Sequence, residues 1–346
     1  MQKVGICGVY GIGPNFSGGQ PVKVRMIVEE LKNTLGEEEV LLANTHRWKK
    51  RPFQLFLNCF NLFRKCKNII MLPAHNGVKV FTPLFLIFNS FFQRKMHYIV
   101  IGGWLPNYLR EDKVLKARVA KFAGIYVETN SMKKDLEALG LKNIYVMNNF
   151  KKLSPVKEKE LSFEHSEPYR ICLFSRIVKE KGVEDAINSI IEVNQALGRE
   201  IFHLDMYGFL DESYKGRFES LMKQLPSYIR YCGVVNPEES VDTIKNYYMQ
   251  FFPTKYKTEG IPGSIIDSYY AGVPVLASRW NSFDDVITDG ETGIGFEFSN
   301  YDDIVSRLKY IAENPREILN MKENCLEKSI EYSPEFVIGK FIRHLQ

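Results

Sequence analysis

Residues 251–278, FFPTKYKTEGIPGSIIDSYYAGVPVLAS, most restrict what this chain can fold into. An apolar, strand-like approach breaks at Pro253 and Thr254, and a polar loop then ends in Glu259-Gly260-Ile261-Pro262-Gly263. Ser264 to Ala271 reads as a helix closed by Gly272, and Val273 to Ser278 as the next buried strand. Taken alone, the stretch is also compatible with an ordinary loop and helix of an α/β domain. It nevertheless sets two carboxylates, Glu259 and Asp267, eight positions apart, one on the loop and one inside the helix. Between them, small residues leave backbone N–H groups open at a helix N-terminus, which suits an anion. A carboxylate one or two turns into such a helix can accept two hydrogen bonds from a vicinal diol. The loop carboxylate then reaches a second sugar, and a sugar nucleotide has that outline.

With these residues the chain resembles the retaining glycosyltransferases of family four. Their signature is a glutamate, seven residues, a second glutamate, then a small-residue helix and a Gly-x-Pro-Val strand. The spacing is kept, as are Gly260 after the first acid and Gly272-Val273-Pro274-Val275. Two positions depart from it. Asp267 is one methylene shorter than glutamate and still accepts from a diol. Gly260-Ile261-Pro262-Gly263 replaces the usual Gly-Phe-Gly, and Pro262 bears on the donor hexose. The resemblance implies a GT-B fold, an α/β architecture of two Rossmann-like doubly wound domains facing a cleft.

Two domains also follow from 346 residues. Composition is that of a globular chain, 45% hydrophobic and 25% charged. Six scattered cysteines without CxxC spacing suit reduced thiols better than a disulfide framework or a zinc site. Met1 leads straight into an apolar run, which predicts no signal peptide. No run approaches the roughly 18 apolar residues that span a bilayer. A cytoplasmic protein with no nucleic-acid partner is the expectation; the net charge of +5 is mild, so where the charge sits matters more than its total.

Val4 to Val9 predicts a first strand, followed by a glycine-rich loop and an amphipathic helix opening near Pro21. The glycines give neither G-x-G-x-x-G nor a P-loop, since Pro14 and Asn15 stand where Lys and Ser/Thr are needed. A dinucleotide oxidoreductase is thereby disfavoured. The resemblance implies that Gly18 and Gly19 let the backbone approach the donor diphosphate; on their own they read equally as a turn. Val40 to Asn44 predicts a second strand. His46 to Lys67 carries seven Lys/Arg and no acid, with Phe53, Phe56, Leu57, Phe60 and Phe63 at helical spacing. Two readings stand: a helix facing an anionic membrane, peripheral on the inner face of the plasma membrane, or a helix whose aromatic stripe packs on the sheet.

Further strands are expected at Ile69–Pro73, Tyr98–Ile101, Ile125–Thr129 and Ile144–Met147. His75 and Asn76 follow the first of these, and Gly102-Gly103-Trp104 the second, where open α/β sheets place ligands. These five are the candidate acceptor-binding residues, although His75 also reads as a loop or capping histidine. Residues 1–150 form the expected N-terminal acceptor domain, 151–168 a linker and 169–333 the nucleotide-sugar domain. A final helix over 334–346, with Pro334 at its first turn, crosses back to the first domain if relatives are a guide.

Arg170 to Phe174 predicts a strand running into SRIVKEKGVED. Ser175-Arg176 and Lys181-Gly182 match the family's spacing after this strand. Two cations beside a helix N-terminus oppose the charge that a leaving nucleoside diphosphate develops; a solvated loop pair is the alternative. Ile229 to Val234 predicts a further strand, and the backbone near Cys232 to Val234 is placed at a nucleobase edge. The resemblance implies Arg176, Lys181 and Glu259 as catalytic residues. Donor contacts add Gly18, Gly19, Val234, Gly260, Ile261, Pro262, Gly263, Ser264 and Asp267. No acidic D-x-D ends a strand, so no metal and no cofactor are expected beyond a UDP- or GDP-sugar donor. The implied reaction is hexosyl transfer with retention to a hydroxyl of a glycan, carried on a polyprenyl diphosphate in bacterial surface-polysaccharide assembly. A nucleotide-sugar epimerase of the same fold and a non-catalytic sugar-nucleotide or membrane scaffold remain as alternatives.

Overall fold

Short apolar runs alternate with amphipathic helices through the described residues, and the central runs are buried on both faces of all-parallel sheets while most edge strands are partly open. The computed structural model describes residues 2–11, 19–73 and 75–345. Two units are present, Met1–Lys152 with Ser333–Gln346, and Leu153–Tyr332. The first unit runs β1 (Gln2–Gly8), α1 (Gly19–Leu35), β2 (Val40–Asn44), α2 (Pro52–Lys65), β3 (Cys66–Met71) and α3 (His75–Phe92). It continues through β4 (Lys95–Ile99), α4 (Leu105–Glu111), α5 (Lys113–Val119), β5 (Gly124–Val127), α6 (Asn130–Ala138) and β6 (Ile144–Val146). Its strand order is β2-β1-β3-β4-β5-β6.

The second unit opens with β7 (Tyr169–Phe174), α7 (Val183–Ala196), β8 (Phe202–Tyr207), α8 (Lys215–Met222) and β9 (Ile229–Gly233). Then come α9 (Ser240–Ile244), β10 (Met249–Phe252), α10 (Gly263–Tyr270), β11 (Val275–Ser278), α11 (Phe283–Val286) and β12 (Gly293–Phe296). The helices α12 (Tyr301–Glu313), α13 (Pro315–Asn320) and α14 (Lys322–Ser329) close it. The order β12-β11-β10-β7-β8-β9 is the doubly wound arrangement, with β7 and β10 meeting where the winding reverses. The approach to β7 is packed on this unit: Val156 N–H donates to the Tyr270 carbonyl at 2.8 Å, and Leu161 lies against Gly272. The last helix, α15 (Pro334–His344), is capped by Ser333 and buries Val337, Ile338 and Phe341 against Val4, Ile70 and Tyr126 of the first unit.

Two expectations change. The third and fourth strands begin three residues earlier than their apolar runs suggest, because each carries a buried polar residue near its start. Asn68 and His97 are buried on adjacent strands, and His97 Nε2 meets Asn68 Oδ1 at 3.1 Å. The second correction concerns 46–67. Its helix covers only Pro52–Lys65, and Lys67 lies in β3. Of the expected stripe, Phe53, Phe56, Leu57 and Phe60 do not face the sheet and only Phe63 does, together with Leu55, Cys59 and Leu62. Both stripes have helical period, and only the second meets β1 and β3 in the core.

Candidate functional site

Glycine at 182 shapes the second unit's candidate site. It sits at φ 71°, and a Cβ there would lie 1.9 Å from the Pro253 carbonyl oxygen. Only glycine lets the turn after β7 close onto the turn after β10. The approach is fastened by Lys255 N–H, which donates to the Glu180 carbonyl at 2.8 Å, and by a Lys255–Asp185 ion pair at 2.8 Å. Gly208 repeats the device after β8, where a Cβ would fall 1.8 Å from the Ser175 carbonyl oxygen.

The close approach puts Lys181 against Glu259. Lys181 Nζ donates to Glu259 Oε1, with both side chains largely buried. The same ammonium lies 5.2 Å from the centre of the Phe252 ring and 5.4 Å from that of Tyr256. These aromatic faces add to its binding, since cations are attracted to ring quadrupoles. Neither ring was read as part of the site from sequence, because ring faces leave no spacing signal.

Arg176 is held differently. Its side chain is half exposed, and Nη1 lies 3.7 Å from Asp211 Oδ2. Asp211 is itself fixed by Ser213, whose hydroxyl donates to Oδ1 at 2.6 Å and whose backbone N–H donates at 3.1 Å. These bonds, with Arg176 behind them, hold the Asp211 carboxyl below the usual range. Asp211 was missed in the sequence, although its D-x-S turn is a recognisable local signal.

Pro262 stands immediately before α10, and its carbonyl accepts from Ile265 and Ile266 at 3.1 and 3.3 Å. The N–H groups of Gly263 and Ser264 precede that ladder, as at any helix start. Ile261 is buried beneath them and Gly260 is partly open. Asp267 is buried one turn into the same helix. Val234 projects from the end of β9 and is 66% exposed. Gly233, before it, accepts from Gly208 N–H at 2.8 Å, so the ends of β8 and β9 are tied as well.

In the first unit, the loops after β3 and β4 come together. His75 opens α3, and its ring centre lies 4.9 Å from Trp104 and 4.0 Å from Tyr108. Trp104 Nε1 donates to the Ile101 carbonyl at 2.9 Å across Gly102 and Gly103, with Gly102 at φ 80°. Asn76 is exposed beside His75. Lys79 stands 4.8 Å above Tyr108 and 3.3 Å from Asp112, so the cluster has a cationic edge. Gly19 is the first residue of α1, and Gly18 lies outside the described residues. Among the described residues, no three His, Cys, Asp or Glu side chains are grouped to hold a metal ion.

The model of glycosyl transferases group 1 matches residues 157–329, half of the chain. An uncharacterised glycosyltransferase of Methanocaldococcus jannaschii is 23% identical over 162 residues, 46% of this chain and 40% of the relative. The chain therefore spans well under half the length of the curated relative it matches. Among solved structures, HepE of Anabaena in complex with UDP superposes with a TM-score of 0.76 at 12% identity, over 100% of this chain and 99% of its own. The lipopolysaccharide outer core galactosyltransferase WaaB gives 0.69 at 14%, over 99% and 98%. A variant of S. aureus TarM, complexed with fondaparinux, alpha-GlcNAc-glycerol and UDP, gives 0.65 at 18%, over 84% of this chain and 59% of TarM. With its two doubly wound parallel sheets in the GT-B fold, this chain belongs to glycosyl transferases group 1.

Proposed function

We propose that the chain transfers a hexosyl group from a nucleoside-diphosphate sugar, UDP- or GDP-linked, to a hydroxyl of a glycan, with retention. The observation that carries this reading is the convergence of Lys181 and Glu259 from the two strands that flank the winding reversal. Arg176 stands five residues before Lys181 on the same turn. Open α/β sheets bind ligands at that point. The reported complexes of HepE and TarM with UDP support a nucleotide donor, and the WaaB name supports a sugar acceptor.

In this reading Arg176 forks onto the diphosphate and Lys181 gives it a fixed point charge. The α10 N-terminus, Gly260 to Ser264, lies under the phosphates. Asp267 accepts from the ribose diol, Glu259 from the hexose, and Val234 flanks the base. The anomeric carbon–oxygen bond breaks toward the diphosphate while the acceptor oxygen bonds on the same face. The acceptor's proton passes to a departing diphosphate oxygen. The two cations supply the countercharge at the leaving group, so turnover needs no metal.

His75, Asn76, Gly102, Gly103 and Trp104 form the acceptor side, with Trp104 and Tyr108 as stacking faces for a sugar. The acceptor is a glycan on a polyprenyl diphosphate, and the protein works at the inner face of the membrane. Donor hydrolysis without acceptor is the test. Slow release of free hexose with retained configuration, unaffected by EDTA, is the result expected. Nucleotide binding with no hydrolysis and no transfer to any lipid-linked glycan would leave a sugar-nucleotide-binding scaffold instead.

A further inference from the structure

Between Val40 and Arg110 the chain has eleven lysines and arginines and no aspartate or glutamate. This stretch carries more positive charge than the whole chain's net +5, so the remainder is net negative. It contains α2 and α3, and each helix has two apolar stripes. The inner stripes fill the core: Leu55, Cys59, Leu62 and Phe63 on α2, and Val78, Phe81 and Phe85 on α3. The outer ones face solvent. Phe53 is 73% exposed and Phe91 80%, with Leu57 and Ile87 about half exposed.

The outer stripes form one surface. Across the seam between the helices, Phe56 meets Phe88 at 5.0 Å and Phe60 meets Phe92 at 5.4 Å between ring centres. At 3.6 residues per turn, Phe53 and Leu57 flank the seam on the solvent side of α2, and Ile87 and Phe91 do so on α3. Charge is kept to the ends of this surface. Lys49, Lys50 and Arg51 precede α2, while Arg64 and Lys65 end it and Lys95 follows α3, all of them exposed.

Such an apolar strip has one occupant that suits both features. A second copy of the chain would bring the same positive ends together, because a two-fold contact pairs a surface with itself. A soluble polyanion would satisfy the cations and leave the aromatic rings in water. An anionic bilayer satisfies both, with headgroups at the basic ends and acyl chains along the rings. We infer that α2 and α3 together dock the first unit on an anionic membrane, with Ile87 and Phe91 of α3 as insertion residues. The inference deepens, and rests on, the lipid-linked acceptor reading; His75 and Asn76 open the same helix that carries Ile87 and Phe91.

Co-sedimentation with phosphatidylcholine vesicles, with and without phosphatidylglycerol, tests this at low salt. The wild type should pellet with the anionic vesicles only. An Ile87→Ser, Phe91→Ser double variant should bind them roughly tenfold less or weaker still. A Phe53→Ser, Leu57→Ser variant on α2 should behave alike, and because all four residues are exposed, both should melt as the wild type does. Wild-type protein left in the supernatant, or variants that pellet equally, would overturn the docking face. So would a wild-type dimer by light scattering that becomes monomeric in either variant. A UDP or GDP thermal shift run in parallel separates the two readings. A retained shift without vesicle binding sinks the face alone. Vesicle binding with no shift from any nucleotide sinks the transferase reading and leaves the face.

Discussion

Lys181 and Glu259, 78 residues apart in sequence, form one largely buried ion pair that joins the ends of β7 and β10. Each member limits how the other meets a ligand. A diphosphate that takes the Lys181 ammonium must share it with Glu259 or displace that carboxylate. Glu259→Ala should therefore leave free nucleoside-diphosphate affinity unchanged or tighter, while impairing transfer. Lys181→Ala should weaken diphosphate binding and lower kcat by about 10². Asp267→Ala should lose diphosphate affinity through the ribose. Calorimetry of UDP and GDP decides it: equal losses of affinity in the Glu259 and Asp267 variants would contradict the division of roles.

Arg176 should behave unlike Lys181, because its side chain is half exposed and its carboxylate partner lies 3.7 Å away. Arg176→Ala should cost about 10² in kcat, and Arg176→Lys should recover little of it, since a point charge cannot replace the two-pronged fork. Asp211→Asn leaves the guanidinium in place and should change kcat by only a few-fold. If Asp211→Asn proved as damaging as Arg176→Ala, the aspartate would have to be counted among the binding groups.

The positions of the second unit's candidate residues were legible because they hang on βα turns whose residues are fixed by backbone geometry. Arg176, Lys181-Gly182 and Glu259 each follow a strand at short, rigid spacing, so sequence distance translates directly into position. Their pairing was not legible, because which turn touches which depends on strand order. The first unit was harder. Alternative apolar stripes on α2 have the same period, and nothing local tells which one meets the sheet. Phe53, Phe56, Leu57 and Phe60 are larger and more numerous as aromatics, yet Leu55, Cys59 and Leu62 fit the narrow space beside β1 and β3. The starts of β3 and β4, just ahead of Asn68 and His97, were hidden by the same logic in reverse. A polar residue interrupts an apolar run even when its partner lies on the next strand.

Gly182 gives a prediction about stability. At φ 71° with a Cβ site 1.9 Å from a backbone oxygen, alanine must move the β10 turn. Gly182→Ala should destabilise the second unit by about 3 kcal/mol or more, through strain and displaced backbone together. Gly140 is the control, since it has φ 87° but no atom within 4 Å of a Cβ. Gly140→Ala should cost only about 1–2 kcal/mol, the left-handed conformation alone. Denaturant melts of both variants test the contrast. Equal costs would mean the Pro253 contact relaxes without penalty.

The last prediction concerns acid. His97 is buried, chiefly by burial its pKa is lowered from 6.5 to about 4, and Lys95 and His344 push it the same way. Its ring links Tyr126, at 3.1 Å from Nδ1, to Asn68, at 3.1 Å from Nε2. Asn68 Nδ2 in turn donates to the Leu345 carbonyl at 3.0 Å, just past α15. The neutral ring is thus part of what holds α15 on the first unit's sheet. Between pH 6.5 and 4 the unfolded chain binds the proton and the folded one does not, so stability rises with pH across that window. The contribution is complete above about pH 6.5 and is lost as pH falls toward 4, by about 3 kcal/mol in all. Below 4 the ring charges in the fold as well, and this part of the slope vanishes. His97→Gln, which keeps a donor and an acceptor but does not titrate, should flatten the profile between pH 6.5 and 4. Hydrogen exchange at the amides of α15 should report the loss first in the wild type. An unchanged pH slope in the His97→Gln variant, with α15 protection the same at pH 4.5 and 7, would remove His97 as the acid-sensitive link.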